Sequence, residues 1–375
     1  MRPDPARHPA EQQRTPSRSE TIESGPQLAA RWLGLDASGA TLRDTALARL
    51  CQRRKEGAAP ASEAERDLRG IQLPGRDLSG LDLSGFDLSR ADLSNADLSG
   101  TRLSGAILRE ARLCGAKLIG CELLGANLRE ADLSECSAQR AGFGNADLGG
   151  ASLFAAGFDD ATFTRASLQG VDARAASLSR ARLLETDLGG ADLGRAVLCE
   201  ADLEKSSVAG ASFVDADLRR IRFRGMAGHD RADWVGANTL DADFCGAYTV
   251  RRTIEDQNYL HEFRLHSRLN AVWYWIWWVT SDCGRSFLRW GLWTLALASV
   301  FAGLYEGVEL DRGDHPTYLS SLYYSVVTLT TLGYGDVVPA SPGAQLLAMC
   351  EVTVGYVMLG GLLSIFSNKM ATRAS

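Results

Sequence analysis

Along residues 68–223 a large apolar residue recurs at every fifth position, with small or polar residues between. The stretch divides into 32 consecutive five-residue blocks without an insertion, such as "ADLSN", "ADLSG", "ANLRE" and "ADLGG". The central position runs from Leu68, Leu73, Leu78 and Leu83 to Phe223, and departs from Leu or Phe only at Ala138, Ala173 and Val208. Two positions earlier a small residue dominates, as at Ala91, Ala96, Ala106, Ala111 and Ala116. After Phe223 the phase slips by one residue, resumes at Trp234 and fades near Phe244. A period of five matches neither a helix, at about 3.6, nor a strand, at about 2. It fits a solenoid whose stacked coils bury one inward ladder.

The pattern changes at both flanks. Residues 1–25 read as a disordered tail, and 26–66 as a short helical segment spaced by Leu28, Leu33, Leu42, Leu47 and Leu50. Beyond the repeats (67–246) comes a helical linker, 247–284. Two long apolar stretches follow, "FLRWGLWTLALASVFAGLYEG" (287–307) and "GAQLLAMCEVTVGYVMLGGLLSIFS" (343–367). Each has the roughly 20 residues that a helix needs to cross the hydrocarbon core. Just upstream, "NAVWYWIWWVTSD" (270–282) is too short to span. Trp273, Trp275, Trp277 and Trp278 suit an interfacial helix anchored in the lipid headgroups, or else the beginning of a longer first crossing.

Charge sorts these regions and orients the spans. Of 46 acidic and 40 basic residues, the repeats hold 27 and 20, so the net −6 arises there. That balance gives no basic footprint for nucleic acid. Arg264, Arg268, Arg285 and Arg289 precede the first span, and Lys369 and Arg373 follow the second. Glu306, Glu309, Asp311, Asp314 and Asp336 against Arg312 lie between them. Basic flanks stay inside, which places both termini in the cytoplasm and the chain in the inner (plasma) membrane as a multi-pass protein. The opening "MRPDPARHPAEQQ" has no apolar core of a signal peptide, in keeping with that orientation. The eight cysteines have no disulfide or metal-ligand spacing, and the five histidines are scattered. No catalytic arrangement stands out, no cofactor is implied, and no arginine-rich helix offers a voltage sensor.

Between the spans lies "VTLTTLGYGDVVP" (327–339). Residues 316–329 can form a short descending helix with Pro316 in its first turn. The return path is non-helical, which is tolerated at membrane depth only where it lines a cavity or is buried in protein. Gly333 and Gly335 permit backbone angles that L-residues resist, so successive carbonyls can face one axis. Four such loops would replace the water shell of a dehydrated K+ ion, with the Thr331 hydroxyl as a further oxygen ring. One chain supplies a quarter of that cage, so a homotetramer is expected.

Two family resemblances emerge from these residues. The repeat resembles the pentapeptide-repeat family, whose pattern A(D/N)LXX implies a four-sided, right-handed β-helix. On that resemblance the central Leu or Phe and the preceding Ala point inward and four blocks make one coil. The 32 blocks would then give about eight coils at about 4.8 Å each, a rod of about 38 Å. Residues 285–370 resemble the two-transmembrane potassium-channel pore family, an all-α domain with a re-entrant pore helix and selectivity filter. Its filter motif TVGYG stands here as Thr331-Leu332-Gly333-Tyr334-Gly335, preceded by Thr330 and followed by Asp336, with Leu in place of Val. The resemblance implies K+ coordination by the backbone carbonyls of Thr331, Leu332, Gly333 and Tyr334, and an aromatic cuff at Tyr323 and Tyr324. One of those tyrosines is expected to bond Asp336. Gly355 falls at the family's gating hinge, or else allows close helix packing, and Gly360, Gly361 and Ser364 slim the inner helix. Some relatives carry an acid where this chain has Val327. Glu351, an acid inside a span, is expected to brace the filter from the neighbouring helix, or else to sit hydrated near the outer interface.

The function expected is a K+-selective channel whose cytoplasmic rod regulates, assembles or docks a protein partner. The alternatives are a membrane-tethered repeat scaffold and a soluble DNA mimic that binds topoisomerase.

Overall fold

The computed structural model describes residues 25–36, 39–56, 62–284, 286–311 and 317–371. The expectations for the tail before Gly25, for Arg285, Arg312 and Asp314, for Pro316 and for Arg373 lie outside those residues. The chain divides into two compact units, Met1–Thr253 and Ile254–Ser375. The division falls within the helix Tyr248–His266.

The first unit is a β-solenoid. Parallel bridges join Asp67 to Asp87, Asp87 to Ile107 and Ile107 to Asn127, and continue at a spacing of 20 residues as far as Ser207 with Ala227. Four blocks therefore close one coil. In each block the residue before the central one makes the bridge, and the last two form a turn. The last residue is left-handed, as in a type II turn: φ is +57° at Arg90, +58° at Asn95 and +55° at Glu110. The aspartates preceding the central leucine stabilise these turns locally. Asp87 Oδ1 accepts from the Ser89 amide at 3.0 Å and Asp92 Oδ1 from the Ser94 amide at 3.1 Å.

Inside, the leucine and alanine ladders are buried along the whole stack. Where the alanine position carries a hydroxyl, that group finds a carbonyl: Thr101 donates to Leu78 O at 2.9 Å and Thr186 to Phe163 O at 2.8 Å. Phe143 stacks on Phe163 at 4.9 Å, one coil further on. The phase slip is a one-residue insertion. From Ser212 with Asp233 onward the bridges are 21 residues apart, and a 3-10 turn at His229–Arg231 takes up the extra residue. Trp234 thereby returns to register and stacks on Phe213 at 4.3 Å.

The N-terminal end of the solenoid is capped by α1 (Gly25–Arg31), α2 (Leu42–Glu56) and α3 (Glu63–Arg66). Leu28, Trp32 and Leu50 are buried, and the Trp32 indole donates to Arg69 O at 2.8 Å. A side chain at Gly70 would meet Leu28 Cβ at 2.6 Å, so α1 lies directly on the first coil. Arg31 and Arg69 each pair with Asp67 at 2.9 Å.

The linker region is two helices, α4 (Tyr248–His266) and α5 (Arg268–Ser281), broken at Ser267, whose side chain caps α5 by accepting from Asn270 N. Among the described residues two helices are long and apolar enough to cross a membrane, α6 (Phe287–Tyr305) and, within α8 (Pro342–Ala371), the segment to Ser367. Leu288, Leu295, Leu346, Met349 and Val357 on them stand exposed in the single chain. A core helix of a soluble protein would bury such residues. Between them α7 spans Ser320–Leu329, shorter than the expected 316–329 because Thr317–Leu319 form a turn. Two-residue strands β1 (Leu310–Asp311) and β2 (Val338–Pro339) pair antiparallel and close the connection.

Two outcomes test this account of the solenoid. Leu118→Ala, at a fully buried central position, is expected to cost about 2–5 kcal/mol in guanidinium unfolding followed by far-ultraviolet circular dichroism. The second concerns the cap. Partial burial raises the pKa of Asp67, but hydrogen bonds from Arg69 and Arg31 outweigh it and bring it down to about 2 from an ordinary 3.8. A depressed carboxylate stabilises the fold above its unfolded value, so this contribution is complete above pH 3.8 and is lost as pH falls through about 2. Trp32 emission, taken as the difference between the chain and Trp32→Phe, should report loosening of α1 over that window, and Asp67→Asn should remove this acid dependence.

Candidate functional site

The loop from Thr330 to Val337 leaves the C-terminal end of α7 and returns toward β2. It begins tightly, with Thr331 N donating to Thr328 O and Leu332 N to Val327 O, both at 3.0 Å. From there φ alternates in sign: it is +60° at Thr331, +55° at Gly333 and +80° at Gly335, but not positive at Leu332 or Tyr334. Alternation of this kind turns successive carbonyls toward the same side of the strand. Among the described residues no hydrogen bond is accepted by the carbonyls of Thr331, Leu332, Gly333 or Tyr334. Leu332 and Tyr334 are exposed in the single chain. Thr331 is the unexpected member, since an L-residue with φ near +60° is sterically costly.

Side chains hold α7 from three directions. Tyr323 donates to Asp336 Oδ2 at 2.7 Å and ties the returning limb to the helix. Tyr324 is buried and packs edge-on against Tyr305 of α6, 4.9 Å between ring centres. Ser321 donates to Glu306 Oε1 at 2.5 Å, at the end of α7 where a carboxylate also suits the helix dipole. One turn further, Ser325 reaches both the Ala298 carbonyl at 2.8 Å and Glu351. Glu351 is fully buried and accepts from the Tyr305 hydroxyl at 2.8 Å. Its partners are thus Ser325 and Tyr305; Val327 is buried elsewhere on α7 and is not among them.

Two glycines of α8, Gly355 and Gly361, face the chain's own elements. A Cβ at Gly355 would lie 2.2 Å from Leu329 O, so this glycine lets α8 approach the end of α7. One unbroken helix runs through it. A Cβ at Gly361 would lie 2.2 Å from the Trp290 ring of α6, whose indole donates to Met358 O at 2.9 Å. Gly360 meets nothing within 4 Å and Ser364 is exposed. On α5, Trp273, Trp275, Trp277 and Trp278 are exposed. Arg289 lies 6.0 Å from the Trp278 ring, and Trp293 donates to Val279 O at 3.2 Å. The residues that sequence reasoning did not single out are Tyr305, Ser321, Ser325 and Trp290; Glu306 entered it only as a charge of the connection. Only the four-residue spacing of Ser321 and Ser325, on a helix that also carries Ser320 and Thr328, could have flagged any of them.

Comparisons with known proteins address both halves. A model described as pentapeptide repeats, in 8 copies, matches segments between residues 77 and 225. A model described as ion channel matches residues 291–372. Pentapeptide repeats and an ion-channel domain are joined in this one chain. Among curated relatives, two pore potassium channel b of Oryza sativa subsp. japonica is 54% identical over 46 residues, 12% of this chain and 13% of the relative. The human voltage-gated potassium channel regulatory subunit KCNG1 is 31% identical over 80 residues, 20% of this chain and 16% of the relative. The chain therefore spans only a small part of these relatives' length. Among solved structures, HetL, a pentapeptide repeat protein from Nostoc sp. strain PCC 7120, is 25% identical over 52% of this chain and 97% of its own, with a TM-score of 0.25. QnrB1, a plasmid-mediated fluoroquinolone resistance protein, is 20% identical over 50% of this chain and 95% of its own, with a TM-score of 0.42.

The packing of α8 in this ion-channel domain has a direct test. Gly355→Ala should force α8 away from Leu329 and lower stability by about 1–3 kcal/mol, read as a drop in thermal midpoint in detergent. Gly360→Ala, in open space within the same helix, should not lower the midpoint, since alanine suits a helix interior better than glycine.

Proposed function

We propose that this chain is one subunit of a tetrameric, K+-selective channel without a voltage sensor. The observation that carries the reading is the loop at 331–335. Four successive carbonyls lack internal partners there, on a backbone alternating in φ, between two membrane-length helices. In a bilayer, unpaired backbone groups are costly unless something else serves them. A ring of four such loops gives stacked oxygen layers that substitute for the water shell of K+. Tyr323, by holding Asp336, fixes the width of the loop against α7, and the Thr331 hydroxyl forms the inner oxygen ring. Gly355 and Glu351 seat the pore helix from α8.

In this reading the chain lies in the inner membrane with both termini cytoplasmic, and the Trp-rich helix α5 rests at the inner headgroup layer. The acids of the outer connection raise local cation concentration. The solenoid serves regulation, assembly or docking of a cytoplasmic protein. A DNA-mimic role is disfavoured because its acids are neutralised between coils, as in Arg90–Glu110 at 2.9 Å, Arg180–Asp160 at 2.8 Å and Arg220–Glu200 at 3.1 Å.

Flux into liposomes containing the purified chain tests the proposal. K+ should pass, Na+ should be excluded, barium should block, and Gly333→Ala, forced to hold a positive φ, should abolish flux. Removal of residues 1–246 should leave selectivity intact, since the whole filter lies outside them; an altered rate would make the solenoid a regulator and an unaltered one a spacer. Verified tetramers that carry no K+ would return the reading to a membrane-tethered scaffold.

A further inference from the structure

Glu351 sits at the meeting point of three elements, and its hydrogen bonds can be counted. Tyr305 of α6 donates to Oε2 at 2.8 Å. Ser325 Oγ of α7 is bonded to Oε1, and the same Oγ lies 2.8 Å from the Ala298 carbonyl oxygen of α6. Each hydroxyl has a single proton to donate. With the carboxyl ionised, Oε1, Oε2 and Ala298 O are all acceptors, so three contacts would have to be made with two protons. Among the described residues the groups that face Glu351 are Ser325 and Tyr305, with no Lys or Arg among them, and the group is fully buried. A buried carboxylate without a cationic partner is strongly disfavoured. One proton on Oε1 closes the count. Tyr305 then donates to Oε2, the Glu351 O–H donates to Ser325 Oγ, and Ser325 donates to Ala298 O.

We infer that Glu351 is a neutral hydrogen-bond donor to Ser325, a positioning residue that locks the pore helix between α6 and α8. Two other titratable groups nearby fit this arrangement. Tyr324 of α7 meets the Tyr305 ring edge-on, and Glu306 is engaged one turn away by Ser321. A protonated carboxyl has the donor and acceptor of a glutamine amide in nearly the same shape, so the lock predicts one conservative replacement: in Glu351→Gln, Nε2 donates to Ser325 and Oε1 accepts from Tyr305. The functional consequence rests on the reading of the chain as a K+ pore; the protonation itself does not.

Two measurements on the full chain in lipid vesicles decide it. Infrared difference spectroscopy should show a C=O band of a protonated carboxyl that disappears in Glu351→Gln, whether or not the vesicles conduct. In flux assays Glu351→Gln should keep K+-over-Na+ discrimination. Ser325→Ala, which leaves the acid proton without an acceptor, and Glu351→Ala, which leaves the Tyr305 hydroxyl unserved, should lower it by about tenfold. Absence of the band, or loss of discrimination in Glu351→Gln comparable to that in Glu351→Ala, overturns the inference. Vesicles without any K+ flux but with the band would uphold the donor and count against the pore reading alone.

Discussion

Backbone amides and carbonyls need partners, and each part of this molecule answers that demand differently. In the solenoid the answer comes from the next coil, 20 residues away, so no coil is complete without its neighbour. In α6 and α8 it comes from within the helix, the arrangement that a segment surrounded by hydrocarbon requires. At 331–334 the described residues include four successive carbonyls that the chain itself does not answer. The proposed function follows from that exception, since a cation stripped of water is the partner such oxygens suit.

An exception of this kind must be held open by its surroundings. Left-handed residues at Thr331, Gly333 and Gly335 do not relax into a helix because α7 anchors one limb and Tyr323–Asp336 the other. The anchoring of α7 relies on polar contacts in an apolar setting, Ser321 with Glu306 and Ser325 with Glu351 and Ala298. Such contacts have a fixed direction, which apolar packing lacks, and a helix held by them has one rotational setting. Gly355 and Gly361 of α8 serve the same end by removing side chains where Leu329 and Trp290 must come close.

Much of this was legible in the sequence, for reasons that differ by region. The period of five survives because every block repeats the same left-handed corner and nearly every block the same buried pair, so that Leu68 and Phe223 answer to one rule. Even the one-residue slip before Trp234 appears in the chain as a break in phase. The cap was readable as helical spacing but not as a cap, because the bond from Trp32 to Arg69 O joins residues with no periodic relation. Glycines and Tyr334 announce the loop, whereas Thr331 gives no sign of its positive φ. Tyr305, Ser325 and Trp290 look like ordinary members of apolar helices, and only the fold brings them to Glu351, Ala298 and Met358. Gly355 invited two readings, a hinge or a close contact; the contact with Leu329 O supports the second.

The central claim is that the unpartnered carbonyls of Thr331, Leu332, Gly333 and Tyr334 coordinate a dehydrated monovalent cation. Anomalous diffraction from crystals of the full chain grown in thallium(I), an electron-rich mimic of K+, tests it most directly. The account predicts a row of anomalous peaks on a four-fold axis between those carbonyl layers, lost when Na+ replaces thallium. A well-ordered four-fold loop with no peaks on its axis, or peaks bound only to the outer carboxylates, would contradict it.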